Sequence, residues 1–211
     1  MEGIPSTPRL LLERCLSDGR HRIGEILLGG DFTLRHIEDE GREDLVVYES
    51  PRDARLIARY DSAGEYRPLK TAPNLIRGWL LRAGSLEGVE QALEFLYPGS
   101  LGLWLASMKG TLRPTSLRTT LDRQTGMYRI TQLIREDQAL DLVGSRCCSS
   151  ACLRTVLWGF DEEKPITSLP EEKRSLAGLS TDRIPLICRE LCNLVVAAAR
   201  PIAKGNLPKK D

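Results

Sequence analysis

The sequence predicts an α+β protein, in which a small N-terminal domain of mixed α/β character with a β-hairpin is followed by a mainly α-helical domain. Short apolar or alternating runs typical of strands lie in the first half of the chain. From Thr115 onward these signals fade and helix signals dominate. Residues 107–114 (SMKGTLRP) have the polar, Gly- and Pro-containing composition of a connection. We therefore expect one domain over residues 1–110 and a second over residues 111–211.

The N-terminal domain begins with a short predicted helix over Leu10–Leu16. Phe32–His36 and Leu45–Tyr48 have the pattern of strands, and Glu40-Gly41 between them is typical of a tight turn. We therefore expect these two strands to pair with each other as a hairpin.

Two further helices of this domain have recognisable starts. Ser50 precedes Pro51, a residue favoured at the first helical position, so Ser50 is the expected cap of a helix that runs to Tyr60. Apolar residues at positions 86, 89, 93 and 96 form one helical stripe and predict a helix over residues 85–97. Residues 101–105 (LGLWL) are expected to be a buried segment that closes the domain.

Caps and turn residues divide the second half of the chain into predicted helices. These cover residues 116–124, 128–142, 146–158 and 185–199. Ser145 is the expected cap of the third, Pro185 occupies the first position of the fourth, and Pro201 ends it. The charged segment Asp161–Asp182 is expected to be a surface loop with short helical pieces.

Composition and charge disfavour several classes of protein. The chain has 30 basic and 29 acidic residues, so its overall charge does not draw it to nucleic acid or to a membrane surface. No apolar run reaches the roughly 20 residues that cross a bilayer, and the first residues lack the apolar core of a signal peptide. We therefore expect a cytoplasmic protein. In that reducing compartment, six cysteines are more typical of metal binding or redox chemistry than of disulfides.

Four of the cysteines form two matching C-x3-C pairs, Cys148 with Cys152 and Cys188 with Cys192. Residues four apart on a helix share one face, so two such helices could present four sulfurs to one centre. We predict a metal or iron–sulfur site with these four ligands. Cys147 is the alternative to Cys148, which we prefer because it shares the predicted helix face of Cys152. Single buried cysteines are more often core residues, and Cys15 is expected to be one.

The predicted helical geometry favours an iron–sulfur cubane over one zinc ion. Thiolates around tetrahedral zinc, with Zn–S bonds of about 2.3 Å, lie closer together than a helical pair allows. Each ligand of a four-iron cubane binds a different iron, which suits the roughly 5–6 Å between side chains one turn apart. Cys148 and Cys188 would also lie in first helical turns, where free N–H groups and the helix dipole stabilise a thiolate.

The residues around the pairs suit a negatively charged cluster. Arg146, Arg154 and Arg189 flank the cysteines and could offset charge, although a solvated arginine is as common an interpretation for each. Trp158 is interpreted as ordinary packing, because on a helix it would face away from Cys152. Apolar cover is expected from Val156, Leu157, Val195, Val196 and Ala199.

Four segments of the sequence share motifs with a known family. They are residues 24–39 (GEILLGGDFTLRHIED), residues 66–81 (YRPLKTAPNLIRGWLL), CxxxCLRTVLW and PLICRELCNLVVAAAR. They resemble the two extra domains attached to some CbiX-type sirohydrochlorin chelatases, an accessory or stabilising domain and a C-terminal domain that binds a four-iron, four-sulfur cluster through four cysteines. The resemblance implies a [4Fe-4S] cluster with Cys148, Cys152, Cys188 and Cys192 as ligands, and with Cys147 as the alternative to Cys148.

The chain departs from this family in one respect, because its 211 residues leave no room for chelatase domains beside the two accessory ones. Metal insertion needs a base and metal ligands, commonly histidines and acidic residues. His21 has no assignable role and His36 is expected to be structural. The resemblance therefore implies a partner of a chelatase, or a redox protein, in sirohaem or cobalamin (tetrapyrrole) metabolism, rather than a stand-alone enzyme.

Three functions remain open at this point. The leading hypothesis is a cytoplasmic [4Fe-4S] protein whose cluster transfers electrons, senses redox state or stabilises its domain. One alternative is a redox-sensing DNA-binding regulator, because Leu117–Ile134 has the helix, Gly-containing turn and second helix of a DNA-reading motif, a pattern that a plain helical hairpin shares. The other alternative is a structural zinc protein, which the predicted spacing disfavours.

Overall fold

The computed structural model describes residues 3–19, 21–58, 75–123, 133–148, 152–161, 164, 166–177 and 182–206. The chain divides into two compact units. Unit 1 comprises Met1–Leu112 with Leu179–Leu186, and unit 2 comprises Arg113–Gly178 with Ile187–Asp211. The chain therefore returns once from unit 2 to unit 1, a connection that the sequence did not predict.

Regular elements are short in both units. The helices of the described residues are α1 (Pro8–Ser17), α2 (Ala54–Ile57), α3 (Leu86–Leu96), α4 (Ser100–Met108), α5 (Leu117–Arg123), α6 (Glu136–Cys147), α7 (Glu171–Arg174) and α8 (Asn193–Gly205). The strands are β1 (Arg22–Ile23), β2 (Ile26–Leu28), β3 (Thr33–His36), β4 (Val46–Tyr48), β5 (Trp79–Arg82), β6 (Thr155–Val156), β7 (Arg183–Ile184) and β8 (Ile187–Cys188). Two 3-10 turns cover Ile37–Asp39 and Pro51–Asp53.

The sheet of unit 1 has the strand order β4-β5-β3-β2-β1-β7. The pairs β1–β2, β2–β3 and β3–β5 are antiparallel, whereas β4 pairs in parallel with β5, and β7 with β1. The predicted hairpin of residues 32–36 and 45–48 is wrong. Both segments contain strands, but β5 lies between them and pairs with each.

A buried carboxylate explains why β4 does not fold back onto β3. Asp39 ends the turn that follows β3 and is fully buried. It accepts hydrogen bonds from the backbone N–H of Gly78 at 2.6 Å and from Nη1 of Arg42 at 2.8 Å, so its charge is compensated. Gly78 directly precedes β5, and this bond holds the start of β5 beside the end of β3. Val46 and Val47, which are 60% and 43% exposed, then occupy the edge strand.

The core of unit 1 includes residues of its sheet and of each of its described helices, α1 to α4. Its largest fully buried side chains are Trp79, Tyr97, Leu11, Leu12, Ile23, Ile26, Leu34, Ile57, Leu81, Leu93 and Leu96. Cys15 is 2% exposed within this core, as predicted. His36 is also buried, and its Nδ1 accepts a hydrogen bond from the backbone N–H of Glu38, which is a structural role.

Capping residues predicted from the sequence are confirmed in unit 1. The Ser50 hydroxyl accepts a hydrogen bond from the backbone N–H of Arg52, and the Asp53 carboxylate accepts one from the backbone N–H of Ser50. Ser85, which was predicted as part of the helix and not named as its cap, caps α3 in the same manner, by accepting from the N–H of Gly88 at 3.1 Å. These bonds satisfy backbone donors that a helix leaves unpaired at its start.

Unit 2 is mainly helical, so the predicted α+β fold class is confirmed for the chain. Its strands β6 and β8 form a two-stranded parallel sheet, and α6 packs against α8. Its buried core residues are Leu117, Leu121, Ile134, Ala139, Val143, Cys147, Val156, Trp158, Phe160, Ile166, Leu169, Leu191, Val195, Val196, Ala199 and Ala203.

The predicted helix over residues 146–158 is wrong. Helix α6 ends at Cys147, and the chain is a strand at Thr155–Val156. Ser145 lies inside α6, where its hydroxyl donates to the carbonyl of Leu142 instead of capping a new helix. Thr155 and Val156 are β-branched, so they suit the strand that pairs with β8.

The predicted helix over residues 185–199 begins too early. Pro185 lies between β7 and β8, and α8 starts only at Asn193. Pro201 lies within α8 rather than at its end. The apolar run that suggested one helix instead supplies buried residues to two short strands and the link between them, because a short apolar run fits either type of element.

Residues 128–142 and Asp161–Asp182 differ in part from the helix and the surface loop predicted for them. The segment predicted as one helix over residues 128–142 is interrupted near Arg135, the cap of α6, and its residues 128–132 lie outside the described residues. The predicted loop over Asp161–Asp182 includes α7, but Ile166 and Leu169 are buried in the core. Within the described residues, no helix is long and apolar enough to cross a bilayer.

Candidate metal centre

Unit 2 places five cysteines at or near the ends of its elements. Cys147 is the last residue of α6 and Cys148 is its C-cap. Cys152 lies in an extended segment before β6, Cys188 lies in β8, and Cys192 is the N-cap of α8. All six cysteines of the chain belong to the described residues and are thiols rather than disulfides.

The parallel pairing of β6 with β8 joins the two cysteine-containing segments. Thr155 lies opposite Ile187 and Val156 lies opposite Cys188. The backbone N–H of Leu157 extends this ladder by donating to the carbonyl of Cys188 at 3.0 Å. The cysteines of the two motifs therefore approach one another through contacts between residues about thirty positions apart, which a pattern within one motif cannot reveal.

The predicted placement of the C-x3-C pairs on helices is wrong. Cys148 follows the end of a helix instead of opening one, and Cys188 lies in a strand. A helix N-terminus was predicted at Cys148 and Cys188, but the structure has one at Cys192 instead. This residue precedes α8, where the free N–H groups of the first turn give a positive end. The spacing argument for a cubane over zinc loses its basis, because neither pair spans one helical turn.

Burial distinguishes the two adjacent cysteines. Cys147 is 5% exposed and belongs to the core, and the half-buried Cys188 and Cys192 pack against that core. Cys148 is exposed, and Cys152 is half-buried. The side chain of Cys147 therefore faces the interior of unit 2, whereas that of Cys148 faces solvent.

The buried thiols bind their protons tightly. Burial, together with the nearby Cys152, Cys188, Cys192 and Cys148, raises the pKa of Cys147 to about 12. Burial also raises the pKa of Cys188 to about 11, against the opposing effects of a hydrogen bond from Trp158 and of the charge on Arg154. These thiols are therefore neutral at physiological pH, and a metal that binds them must displace their protons.

Trp158 contacts the sulfur of Cys188. Its indole Nε1 donates to Sγ of Cys188 at 3.2 Å, and the side chain is 3% exposed. The same sulfur donates to the carbonyl of Glu190 at 3.1 Å. The interpretation of Trp158 as ordinary packing is therefore incomplete, because its polar atom reaches a predicted ligand. Sequence spacing missed this contact because Trp158 follows a strand, not a helix.

Two cationic side chains donate hydrogen bonds to backbone carbonyls of the cysteine segments. Nη1 of Arg154 donates to the carbonyl of Ile187 at 3.0 Å, and its charge lowers the pKa of Cys188. Nζ of Lys173, in α7, donates to the carbonyl of Cys152. Arg146 and Arg189, the other predicted arginines, have exposed side chains. Lys173 was missed because it lies 21 residues from Cys152 in a segment assigned to the surface.

The chemistry of this set of residues fits an iron–sulfur cluster. Thiolates are the usual ligands of such clusters, and five thiols are available here. Of the five residues predicted as apolar cover, Val156, Val195, Val196 and Ala199 are at most 2% exposed, and Leu157 is half-buried. Within the described residues, no three His, Cys, Asp or Glu side chains are grouped as the ligands of a single metal ion.

Comparisons with known proteins agree with this chemistry. Residues 16–108 match the family model of the DR2241 stabilising domain, and residues 109–201 match the model of a 4Fe-4S iron-sulfur cluster binding domain. No curated protein matches the chain.

One similar solved structure is that of DR2241 from Deinococcus radiodurans, a multi-domain protein with structural similarity to chelatases and two additional novel domains. It aligns with a TM-score of 0.68 and 30% sequence identity over 93% of this chain. The match spans only 41% of the Deinococcus protein. The two family matches lie side by side and account for residues 16–201, so most of the chain is similar to a DR2241 stabilising domain followed by a 4Fe-4S cluster-binding domain.

Proposed function

We propose that unit 2 binds its [4Fe-4S] cluster through Cys147, Cys152, Cys188 and Cys192, and that the chain is a cytoplasmic electron-transfer protein that serves a chelatase-like partner. The observation that carries the ligand assignment is the inward position of Cys147 against the core that Cys188 and Cys192 also contact.

The choice of Cys147 over Cys148 follows from the local fold. The reason for preferring Cys148 was a helical face shared with Cys152, but Cys152 lies in an extended segment outside α6. Cys147 is 5% exposed, whereas Cys148 is exposed. A cluster sheltered by the apolar core requires ligands that point inward, which favours Cys147.

Four cysteine ligands restrict the chemistry of the site. When bound, a four-iron, four-sulfur cluster gains and loses single electrons. Four thiolates would occupy the outer position of every iron, so these residues exclude substrate from direct contact with the metal. Arg154 and Lys173 add positive charge beside the cysteine segments. Cys152, Cys188 and Cys192 are only half-buried, which places the proposed ligands close enough to the surface for electron exchange with a second protein.

The cluster proposal is tested by anaerobic reconstitution of the full chain. We expect a brown protein with about four iron and four sulfide per chain, in line with the family of unit 2. Reduction with dithionite should give an EPR signal, and redox titration with dye mediators should be reversible. A colourless protein with one zinc per chain would establish the structural zinc alternative instead. A cluster that forms but exchanges no electrons with mediators would leave a structural role and contradict electron transfer.

The partner proposal rests on the length of the Deinococcus protein. This chain matches 41% of it, and the whole is similar to chelatases. We therefore expect the unmatched part of that protein, produced separately, to bind this chain. Native mass spectrometry of an equimolar mixture should show a one-to-one complex, with the two additional domains of the Deinococcus protein as competitor. No complex at tens of micromolar concentration would contradict a chelatase-like partner.

The DNA-binding alternative stays a prediction. Residues 124–132, which contain the turn of the suggested motif, lie outside the described residues. Its test is a duplex-binding assay at moderate salt, where binding through phosphates alone is weakened.

A further inference from the structure

Trp158 lies beside the proposed ligands without being one of them. Its indole N–H is a donor with no acceptor capacity, and it points at Sγ of Cys188 from 3.2 Å. The side chain is 3% exposed, so this N–H depends on a partner within the protein. A neutral thiol is a weak acceptor, whereas a thiolate accepts a charge-assisted hydrogen bond. The contact therefore suits an ionised, metal-bound sulfur better than the thiol.

The second hydrogen bond of this sulfur requires the thiol proton, so it suits the neutral thiol and not the thiolate. The Cys188 thiol donates to the carbonyl of Glu190 at 3.1 Å. As a ligand of a cluster, Cys188 would be a thiolate whose proton has gone to solvent, so this sulfur would no longer donate. Of these two bonds, only the one from Trp158 can persist in the loaded protein.

The backbone fixes the position of the indole relative to the sulfur. Val156 lies opposite Cys188 in the β6–β8 ladder, and the next residue, Leu157, donates its N–H to the carbonyl of Cys188 at 3.0 Å. On the same two segments, Arg154 donates to the carbonyl of Ile187. Trp158 and Cys188 are thus held by the same short ladder, and the buried ring has little freedom to turn away.

We propose that Trp158 is a positioning residue that donates a hydrogen bond to the cluster-bound sulfur of Cys188 and thereby raises the reduction potential of the site and slows loss of the cluster. This inference rests on the proposed function. Hydrogen bonds to cysteine sulfur are among the factors that set the potential of iron–sulfur proteins. The direction follows because a donor stabilises the reduced state, in which the sulfur carries more negative charge.

The test compares Trp158→Phe with Trp79→Phe in the full, reconstituted chain. Both variants remove one indole donor and keep an aromatic ring. Trp79 is the matched control because it is 1% exposed, donates to the carbonyl of Ile76 and belongs to unit 1, which contains none of the proposed ligands. We expect Trp158→Phe to have a more negative midpoint potential, higher Fe–S(Cys) stretching frequencies in resonance Raman spectra, and cluster loss to a chelator about tenfold faster. Trp79→Phe should match the wild type in all three.

A second measurement avoids the risk that Trp158→Phe does not fold. Wild-type protein with 15N-labelled indole should show a 15N coupling to the reduced cluster in pulsed EPR, and Trp79→Phe should retain it. An absent coupling, or a Trp158→Phe variant with unchanged potential and Raman spectrum, would overturn the inference while leaving the proposed function intact. A wild-type chain that binds no cluster would instead overturn the proposed function.

Discussion

Cysteine plays different parts in the two units of this chain. In unit 1, Cys15 lies within the last turn of α1, is 2% exposed and belongs to the hydrophobic core. In unit 2, five cysteines lie at helix ends, in a strand and in an extended segment, where different parts of the chain meet. A cysteine inside a regular helix can be simply a small apolar residue. Cysteines that gather where elements end indicate a site.

The units also differ in how their structure is held together. Unit 1 combines a six-stranded sheet with helices of up to eleven residues. In unit 2, α6 and α8 are at least as long, with twelve and thirteen residues, but the described sheet consists only of β6 and β8, which have two residues each. Such short elements have little stability of their own. We therefore expect the cohesion of unit 2, but not of unit 1, to depend on the metal centre.

The largest expected effect separates the two kinds of cysteine. Cys188→Ala should reduce the iron content from about four per chain to nearly none, because one ligand of the proposed site is lost. Hydrogen exchange measured by mass spectrometry should then show faster exchange in β6, β8 and the first turn of α8, with unit 1 unchanged. Cys15→Ala is the matched control and should keep its iron. Full iron content in Cys188→Ala would contradict the site.

The second-largest expected effect is a difference in iron content between variants of the adjacent Cys147 and Cys148. Cys147→Ala should lose the cluster, whereas Cys148→Ala should retain about four iron and the EPR signal of the reduced protein, because only Cys147 faces the core. Iron and sulfide analysis of both variants provides the measurement. The reverse result would identify Cys148 as the ligand and would show that the exposure of the thiols is a poor guide here.

A core substitution in unit 1 should lower the free energy of unfolding of that unit without changing the iron content of the protein. Leu81 is fully buried at the centre of the sheet, opposite Leu34. Leu81→Ala should lower the free energy of unfolding of unit 1 by about 2–5 kcal/mol, because it leaves a cavity. Urea denaturation followed by hydrogen exchange measures this loss. A simultaneous loss of iron would indicate that the stability of the units is coupled.

The smallest effect is a pH dependence confined to unit 1. A hydrogen bond from the Thr33 hydroxyl to Asp31 at 2.7 Å lowers the pKa of this carboxylate below 3.8. A lowered pKa in the folded state stabilises the protein above pH 3.8, and the contribution is lost as the pH falls through the folded-state value. Thr33→Val should move the pKa of Asp31 upward, as followed by NMR titration. An unchanged pKa would show that the hydroxyl is not the cause.

Local rules predicted unit 1 better than unit 2. Ser50 caps the expected turn, since capping depends only on neighbouring residues. The order of the strands was missed because it depends on Asp39 binding the N–H of Gly78, which lies 39 residues away. In unit 2, the two-residue strands Thr155–Val156 and Ile187–Cys188 exist only as partners of each other. No periodicity within either segment reveals such a pair.

The same limit applies to the metal centre. Matching spacing and the expectation of a reducing compartment were enough to single out four cysteines and to predict a metal or iron–sulfur site. The resemblance implied a [4Fe-4S] cluster, which the match of residues 109–201 to a 4Fe-4S cluster binding domain confirms. The partners of the sulfurs were not predictable in this way. Trp158 and Lys173 reach Cys188 and the carbonyl of Cys152 across 30 and 21 residues, respectively.

The return of Leu179–Leu186 to unit 1 has a consequence for the order of events during synthesis. Strand β7 pairs with β1, and Ile184 and Leu186 belong to the core of unit 1. The ribosome therefore makes most of unit 2 before the last strand of unit 1 has emerged. Cys188 and Cys192 follow immediately afterwards. The ribosome thus adds the last strand of the N-terminal sheet and the last two cysteines of the proposed site almost at the same time.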